Sequence, residues 1–195
     1  MYNQITETLK KVSQTNLIPT ITIDSFCKVP NQVAFVCRHF PCMIPGYHDH
    51  DCFEINYIKK GECINFVEGE SIYMAEGSFI LFNTATFHTL YAANEESIVY
   101  NILLDKEWFL QLIKRYPLPD TDVGKFFTLC EGETFPIYVF SEKSDDGLKE
   151  ILTYQCEHKD EASILTEANV LYCVDSMMNE KGARLSSARK TFDKT

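Results

Sequence analysis

Short apolar runs separated by turn residues dominate the first two thirds of the sequence. Gly61, Glu68-Gly69-Glu70 and Glu76-Gly77 mark the clearest of these turns. Short strands with a turn about every eight to twelve residues are typical of a β-sandwich or a β-barrel. We therefore predict a mainly β body with strands at 21–23, 33–37, 53–58, 63–67, 71–74, 78–82 and 97–104, and two more within 124–140.

Apolar residues at helical spacing occur before, within and after this β-rich stretch. It predicts helices at 4–13, from the N-cap Asp105 to Tyr116, at 148–156 and at 164–181. We therefore expect an N-terminal arm with a short helix over 1–20, a barrel over 21–140, a helical pair over 141–182 and a truncated linker over 183–195.

The last predicted helix is apolar on more than one side. A surface helix needs only one apolar face. The wider pattern fits either a helix between its own domain and a second copy of the chain, or a helix buried within one domain. In the first case, the residues that we expect at a homodimer contact are Ile164, Ala168, Leu171, Val174 and Met178.

Composition narrows the class of protein. The chain has 195 residues, of which 45% are hydrophobic, and a formal charge of −10. This balance is ordinary for a globular domain and unfavourable for a general binder of phosphate backbones. No apolar run approaches the roughly 20 residues of a membrane span, and the N-terminus has no apolar core of a secretory signal. Eight cysteines without a C-x-x-C pair favour reduced thiols, so we expect a cytoplasmic protein with no membrane partner.

A histidine and glutamate pattern is the most informative local feature. His48, His50 and Glu54 are separated by two and four residues, so in an extended segment they share one face. His88 could add a fourth ligand from a neighbouring strand. Two or three imidazoles and a carboxylate suit a divalent transition metal such as Zn, Ni, Fe or Mn. A polar pocket or a solvated strand face explains the same spacing.

The same residues resemble a known superfamily. His48-x-His50-x-x-x-Glu54, followed by Gly61, is similar to the first motif of the cupins, and Gly77 followed by His88 is similar to the second. The resemblance is greater to the N-terminal sensor domain of AraC-type transcription regulators, and it extends over roughly 30–180. It implies a cupin-like double-stranded β-helix, or jelly-roll barrel, followed by C-terminal α-helices.

The resemblance implies a ligand-sensing and dimerising module with no catalytic residues. A small-molecule effector would bind among His48, His50, Glu54, His88 and the aromatic residues Tyr57, Phe66, Tyr73, Phe82 and Tyr100. The N-terminal segment 1–16 could move when effector binds. Such regulators contact DNA through a C-terminal helix-turn-helix domain, which we expect to be missing from this chain. DNA would then be a partner only through that missing domain.

A metal-dependent cupin enzyme is the alternative hypothesis. A metal held by the four ligands, with coordination positions left open, could act as a Lewis acid in a dioxygenase or an isomerase. The complete ligand set favours this alternative, and the long helical C-terminal part does not.

Overall fold

A computed structural model describes residues 2–27, 32–84, 86–116, 137–139, 146–158, 164–178 and 183–185. Its helices are α1 (Tyr2–Thr15), α2 (Lys106–Ile113), α3 (Asp146–Glu157) and α4 (Ile164–Met178), with a short 3-10 helix at Ile23–Ser25. Its strands are β1 (Ala34–Arg38), β2 (Phe53–Lys60), β3 (Glu62–Val67), β4 (Glu70–Ala75), β5 (Phe79–Phe82), β6 (His88–Ala92), β7 (Ile98–Leu104), β8 (Ile137–Val139) and β9 (Ala183–Leu185).

Within those ranges the strands form two antiparallel sheets. The larger sheet has the order β1-β7-β2-β5-β8-β9, and the smaller one has the order β4-β3-β6. The mainly β fold with helices after the barrel, expected from the sequence, is confirmed. None of the described helices has the length and apolarity that crossing a bilayer requires.

Both faces of the larger sheet are covered, which explains why β2 is buried from Phe53 to Ile58. Phe53, Ile55 and Tyr57 belong to an apolar cluster that includes residues of α2, α3 and α4. The next residue, Ile58, belongs to a second cluster that joins the larger sheet to the smaller one. Because successive side chains of a strand alternate between faces, Glu54 and Asn56 point with Ile58 into the space between the sheets. We call this space the barrel interior.

Helix α1 covers the outer face of the smaller sheet. Leu9 is fully buried there against Ile64 and Phe66 of β3. Helix α2 begins at a true N-cap, because a side-chain oxygen of Asp105 accepts a hydrogen bond from the Trp108 backbone N–H at 2.7 Å. The structure confirms the four predicted helices, and the predicted end of the last one, at 179–181, lies outside the described residues.

Some predicted elements differ from the structure. The strand predicted at 21–23 is wrong: Ile21 makes one isolated parallel bridge to His50, and a 3-10 helix follows at once. Strand β6 was not among the predicted strands. A strand at Ala183–Leu185 pairs with β8, where the sequence predicted the start of a linker. The predicted strand positions within 124–136 lie outside the described residues.

Candidate functional site

Two segments far apart in sequence bring the histidines together. His48 and His88 form an antiparallel bridge in which each backbone N–H donates to the other residue's carbonyl, at 3.1 and 2.8 Å. Glu54 lies on β2, whose partner strand β5 places Phe82 beside it. The segment from His48 to Glu54 is not one continuous strand as expected, because the chain bends at Asp51 and Cys52. The side chains of His48, His50 and Glu54 nevertheless converge.

Four donor atoms meet at one buried point of the barrel interior. The nearest ligand atoms of His48, His50, Glu54 and His88 all lie within 4.8 Å of one another. Glu54 Oε2 is 2.8 Å from His50 Nε2 and 2.9 Å from His88 Nε2. The most exposed of the four residues, His48, has a relative exposure of only 6%. The four predicted ligands therefore form one cluster, which we call the His₃Glu cluster.

Backbone carbonyls orient all three imidazoles of the cluster. The Nδ1–H of His48 donates to the Gly46 carbonyl at 2.7 Å, that of His88 to the Thr86 carbonyl at 3.0 Å, and that of His50 to the Ile21 carbonyl at 3.2 Å. A carbonyl oxygen can only accept, so each Nδ1 carries the proton. In a neutral imidazole the Nε2 lone pair is then free to face the centre of the cluster. This arrangement is typical of metal-binding histidines.

Burial and mutual charge set the ionisation of the cluster. Burial lowers the pKa of His48 to about 4, which keeps that imidazole neutral. Burial opposes ionisation of Glu54, but His50 and His88 outweigh it and hold the pKa of the carboxyl well below its ordinary value. Burial also opposes a charge on His50, yet the Glu54 carboxylate raises the pKa of this imidazole. The cluster therefore contains an anionic carboxylate surrounded by imidazoles.

The centre of the cluster lacks a complete set of hydrogen bonds. Glu54 Oε2 and His88 Nε2 lie 2.9 Å apart, and each of these atoms is buried without a hydrogen-bond partner. A carboxylate oxygen and an imidazole lone pair repel each other unless a positive charge lies between them. A divalent cation would satisfy both atoms, and the donor types suit a transition metal. The His₃Glu cluster is thus compatible with a metal site.

An amide pair that was not predicted supports the carboxylate from behind. Asn56 Nδ2 donates to Glu54 Oε1 at 2.8 Å and to Asn101 Oδ1 at 3.2 Å. The first bond leaves Oε2 as the oxygen that faces the imidazoles. A signal for Asn56 was available in the sequence, because it follows Glu54 by two residues and must share its face of the strand.

Among the five aromatic residues predicted to line the pocket, Phe82 contacts the cluster. Its ring stacks on the His88 imidazole with the centroids 4.1 Å apart and the planes at 7°. Tyr57 and Tyr100 instead lie on the helix-facing side of the larger sheet. The first stacks on Phe79, and the second donates its hydroxyl hydrogen to Thr153 Oγ1 on α3.

The two remaining aromatic residues lie on the outer side of the smaller sheet. Phe66 packs under Leu9, and Tyr73 is 48% exposed with its hydroxyl 3.1 Å from Thr6 Oγ1. The expectation that Tyr57, Tyr100, Phe66 and Tyr73 line the interior is therefore corrected. The physical reason is strand alternation, which directs their side chains away from the interior.

The residues expected at a homodimer contact occupy different faces of α4. Val174 is 2% exposed and packs with Val170 and Cys173 into the core of its own chain. The expectation that Val174 contacts a second copy is therefore corrected. Ala168 is exposed and Leu171 is half-buried. The side chains of Ile164 and Met178 lie outside those that the structure describes.

Comparison with known proteins identifies the family. The family model for the AraC-like ligand binding domain matches residues 43–170, which is more than half of the chain. No curated protein shows significant similarity to the sequence.

Some solved structures are similar to the chain at low sequence identity. An apo ToxT variant from Vibrio cholerae strain SCE256 is 14% identical with a TM-score of 0.50, over 73% of this chain and 53% of ToxT. The unsaturated fatty acid bound wild-type ToxT is 15% identical with a TM-score of 0.44, over 75% of this chain and 50% of ToxT. KdgF from Halomonas sp. is 19% identical with a TM-score of 0.36, over 40% of this chain and 74% of KdgF. The chain thus spans about half the length of ToxT.

Proposed function

The chain belongs to the family of AraC-like ligand-binding domains, and from this membership we propose that it is the ligand-sensing and dimerisation domain of a cytoplasmic transcription regulator. A small-molecule effector would bind in the barrel interior beside the His₃Glu cluster. Contact with DNA would be made by a separate domain of the regulator. Effector binding would act by favouring one arrangement of the domain over another.

The observation that carries the proposal is the His₃Glu cluster, which is buried in the barrel interior. Its three imidazoles are held by backbone carbonyls, and its carboxylate is held by Asn56, so the donors are positioned before any ligand arrives. A divalent Zn, Ni, Fe or Mn ion held there would supply a positive centre for an oxygen atom of the effector. The surrounding apolar residues, such as Phe82, would exclude water from that contact.

The segment that follows α1 offers a route from the cluster to the N-terminal arm. Ile18 N–H donates to the Tyr47 carbonyl at 3.0 Å, and Ile21 N–H donates to the Asp49 carbonyl at 2.9 Å. The Ile21 carbonyl then accepts from His50 Nδ1. We infer that a shift of this segment changes the orientation of His50, and that the arm over 1–16 responds to what the cluster holds.

A truncation tests this route. Deletion of 1–16 should weaken Zn²⁺ binding by about tenfold, the loss expected when a partner that orients a ligand is disturbed. Competition with a chromogenic chelator measures this affinity, and circular dichroism confirms that the truncated chain is folded. A folded truncation with the affinity of the whole chain contradicts the route.

An outward apolar face on α4 supports dimerisation. Leu165 and Tyr172 are 47% and 45% exposed, and Ala168 lies between them at helical spacing. Tyr154 on α3 is also exposed. We propose that a second copy of the chain packs on this face, and that Leu165→Glu lowers the molar mass measured by light scattering to that of a monomer. Tyr116→Glu, at an exposed tyrosine after α2, is the matched control and should leave the mass unchanged.

Metal analysis tests the ligand-binding site itself. Protein purified without a histidine tag should contain one divalent transition metal per chain after exposure to Zn²⁺ and removal of the excess. The double variant His50→Gln, His88→Gln should contain less than a tenth of that amount. His39→Gln is the control, because His39 is buried but bonds to the Met43 carbonyl outside the cluster. Equal metal in the double variant and the wild type contradicts the site.

A metal-dependent enzyme is the second candidate, and the complete ligand set is the observation that favours it. The two candidates differ in the fate of the bound molecule. A sensor releases its ligand unchanged, whereas an enzyme converts it. Mass spectrometry of a bound compound after prolonged incubation with the metal-loaded protein separates the two, and recovery of a chemically altered compound would favour the enzyme.

A further inference from the structure

The turn between β3 and β4 contains a residue that the turn itself does not favour. Val67 and Glu70 are cross-strand partners, so Glu68 and Gly69 are the two central residues of the hairpin. Both have positive φ, of 47° and 91°. Asparagine or aspartate before glycine is the usual choice for such a turn, and a glutamate at positive φ is uncommon. Backbone strain of this kind persists where the surrounding contacts compensate for it.

Contacts of Glu68 with the segment before β6 supply this compensation. The Phe87 N–H donates to Glu68 Oε1 at 3.1 Å, and the Glu68 N–H donates to the Phe87 carbonyl at 3.3 Å. Only the first of these bonds uses the side chain, and it needs a side chain of the length of glutamate. An asparagine would suit the turn better, but it is one methylene group shorter and would not reach the Phe87 N–H.

The same hairpin also contacts the segment before His48. The Tyr47 side chain makes a hydrogen bond with the Glu68 backbone. Its ring stacks on Phe87, with the centroids 5.6 Å apart and the planes at 28°. Tyr47 and Phe87 are therefore held against each other and against the hairpin.

Tyr47 and Phe87 immediately precede two histidines of the cluster. His48 and His88 pair through their backbones next to the stacked rings. The carbonyls that orient these two imidazoles belong to the residues just before Tyr47 and Phe87. A shift of Phe87 would therefore move both His88 and the carbonyl that orients its ring.

Resting on the metal-binding part of the proposed function, we propose that Glu68 is a positioning residue of the His₃Glu cluster. Its carboxylate fixes Phe87, and with it the imidazole of His88, in the geometry that binds a divalent cation. Glu68 itself is exposed and acts through Phe87 rather than by touching the cation. Groups that orient metal ligands from outside the coordination sphere typically change metal affinity by about 10–100-fold.

Two substitutions in the tag-free chain separate the bond to Phe87 from the conformation of the turn. Glu68→Asn suits the positive φ but gives up the bond, so its Zn²⁺ affinity should fall about tenfold although the metal-free variant melts no lower than the wild type. Glu68→Gln keeps the length and an acceptor oxygen, so it should keep the wild-type affinity. Glu95→Asn, at an exposed position between β6 and β7, is the control and should leave the affinity unchanged. Competition with a chromogenic chelator measures the affinity, and circular dichroism confirms that each variant is folded.

The visible absorption band of the Co²⁺-loaded protein supplies a readout that a purely structural role would not change, because the band depends on the arrangement of the ligands around the ion. Glu68→Asn should alter the band, whereas Glu68→Gln and Glu95→Asn should reproduce that of the wild type. Hydrogen exchange of the metal-free protein adds a test without any ion. The Phe87 amide should exchange faster in Glu68→Asn than in Glu68→Gln.

The outcomes separate this inference from the function on which it rests. An unchanged Zn²⁺ affinity or an unchanged Co²⁺ band in Glu68→Asn overturns the positioning role and leaves the metal site standing. An equal loss of affinity in Glu68→Gln also overturns it, because the bond to Phe87 would then not be what the site requires. A wild type that holds neither ion overturns both the metal site and this inference.

Discussion

The substitution Glu54→Gln separates two contributions of this residue, one to the stability of the fold and one to cation binding. Glu54 Oε1 accepts a hydrogen bond from Asn56, and Oε2 lies within 2.9 Å of two imidazole nitrogens. Glutamine has nearly the same shape. Its amide nitrogen can donate to an imidazole Nε2, where the carboxylate needs a proton or a cation. Without metal, the variant should therefore be about as stable as the wild type. With Zn²⁺, its stability should rise much less than that of the wild type.

The expected magnitudes differ enough to be measured. Without metal, exchanging one set of buried hydrogen bonds for another changes stability by about 1 kcal/mol, which for a chain of this size is about 2–4 °C in melting temperature. For the wild type, Zn²⁺ at a hundredfold excess over its dissociation constant adds about 2.7 kcal/mol, or about 5–11 °C. If Glu54→Gln weakens binding about a hundredfold, the same Zn²⁺ concentration adds only about 0.4 kcal/mol.

Calorimetric melting of chelator-treated protein, with and without added Zn²⁺ at pH 7.5, measures both effects. Glu96→Gln is the matched control, because Glu96 is exposed and pairs only with Lys60 on the surface among the described contacts. Its Zn²⁺ response should equal that of the wild type. A Zn²⁺-induced rise in Glu54→Gln as large as in the wild type would refute the assignment of Glu54 as a ligand.

Three further predictions follow from the packing and electrostatics. Because burial lowers the pKa of His48 to about 4, the unfolded chain binds the extra proton between about pH 4 and 6.5, so the metal-free protein should gain on the order of 3 kcal/mol as pH rises through this window. Urea unfolding at several pH values should show most of this gain lost in His48→Gln. Leu9→Ala should cost about 2–5 kcal/mol and speed tryptic cleavage within α1, whereas unchanged cleavage would contradict the packing of this helix on the smaller sheet. Asp105→Ala should lower the free energy of unfolding, measured in urea, by about 1 kcal/mol because the α2 cap is lost. Asp105→Asn should keep most of the wild-type stability, because asparagine also caps a helix.

The barrel could be predicted from the sequence wherever an apolar run ended at a turn residue. Strand β6 was not predicted, because it begins with the polar residues His88 and Thr89, whose side chains are buried. The opposite error occurred at 21–23. There the apolar pattern suggested a strand, but the Ile23 N–H donates to Asp51 Oδ1, and the chain turns into a 3-10 helix. Contacts between distant segments decided both cases, and local patterns do not contain them.

The ligands of the cluster were predictable and their surroundings only in part. Even spacing identified His48, His50 and Glu54, His88 was the fourth candidate from a neighbouring strand, and the resemblance to the cupins supported all four. Side chains alternate between the two faces of a strand, so Tyr57, three residues after Glu54, must lie on the opposite face of β2. The expectation that Tyr57 lines the interior therefore conflicted with the same spacing rule that identified Glu54. The Ile21 carbonyl was not predictable, because it reaches His50 from 29 positions away.

The use of main-chain oxygens as orienting groups has an evolutionary consequence. Every amino acid carries a carbonyl, so substitutions at Ile21 and Thr86 can accumulate without removing the atom that steers the imidazole. Selection there acts on the course of the backbone rather than on residue identity. Gly46 is the exception, because a Cβ at this position would come within 2.9 Å of Ile18 Cγ2 and 3.0 Å of the Asn16 carbonyl oxygen. In related proteins that keep these hydrogen bonds to the imidazoles, we therefore expect position 46 to remain glycine more often than the neighbouring positions keep their residues.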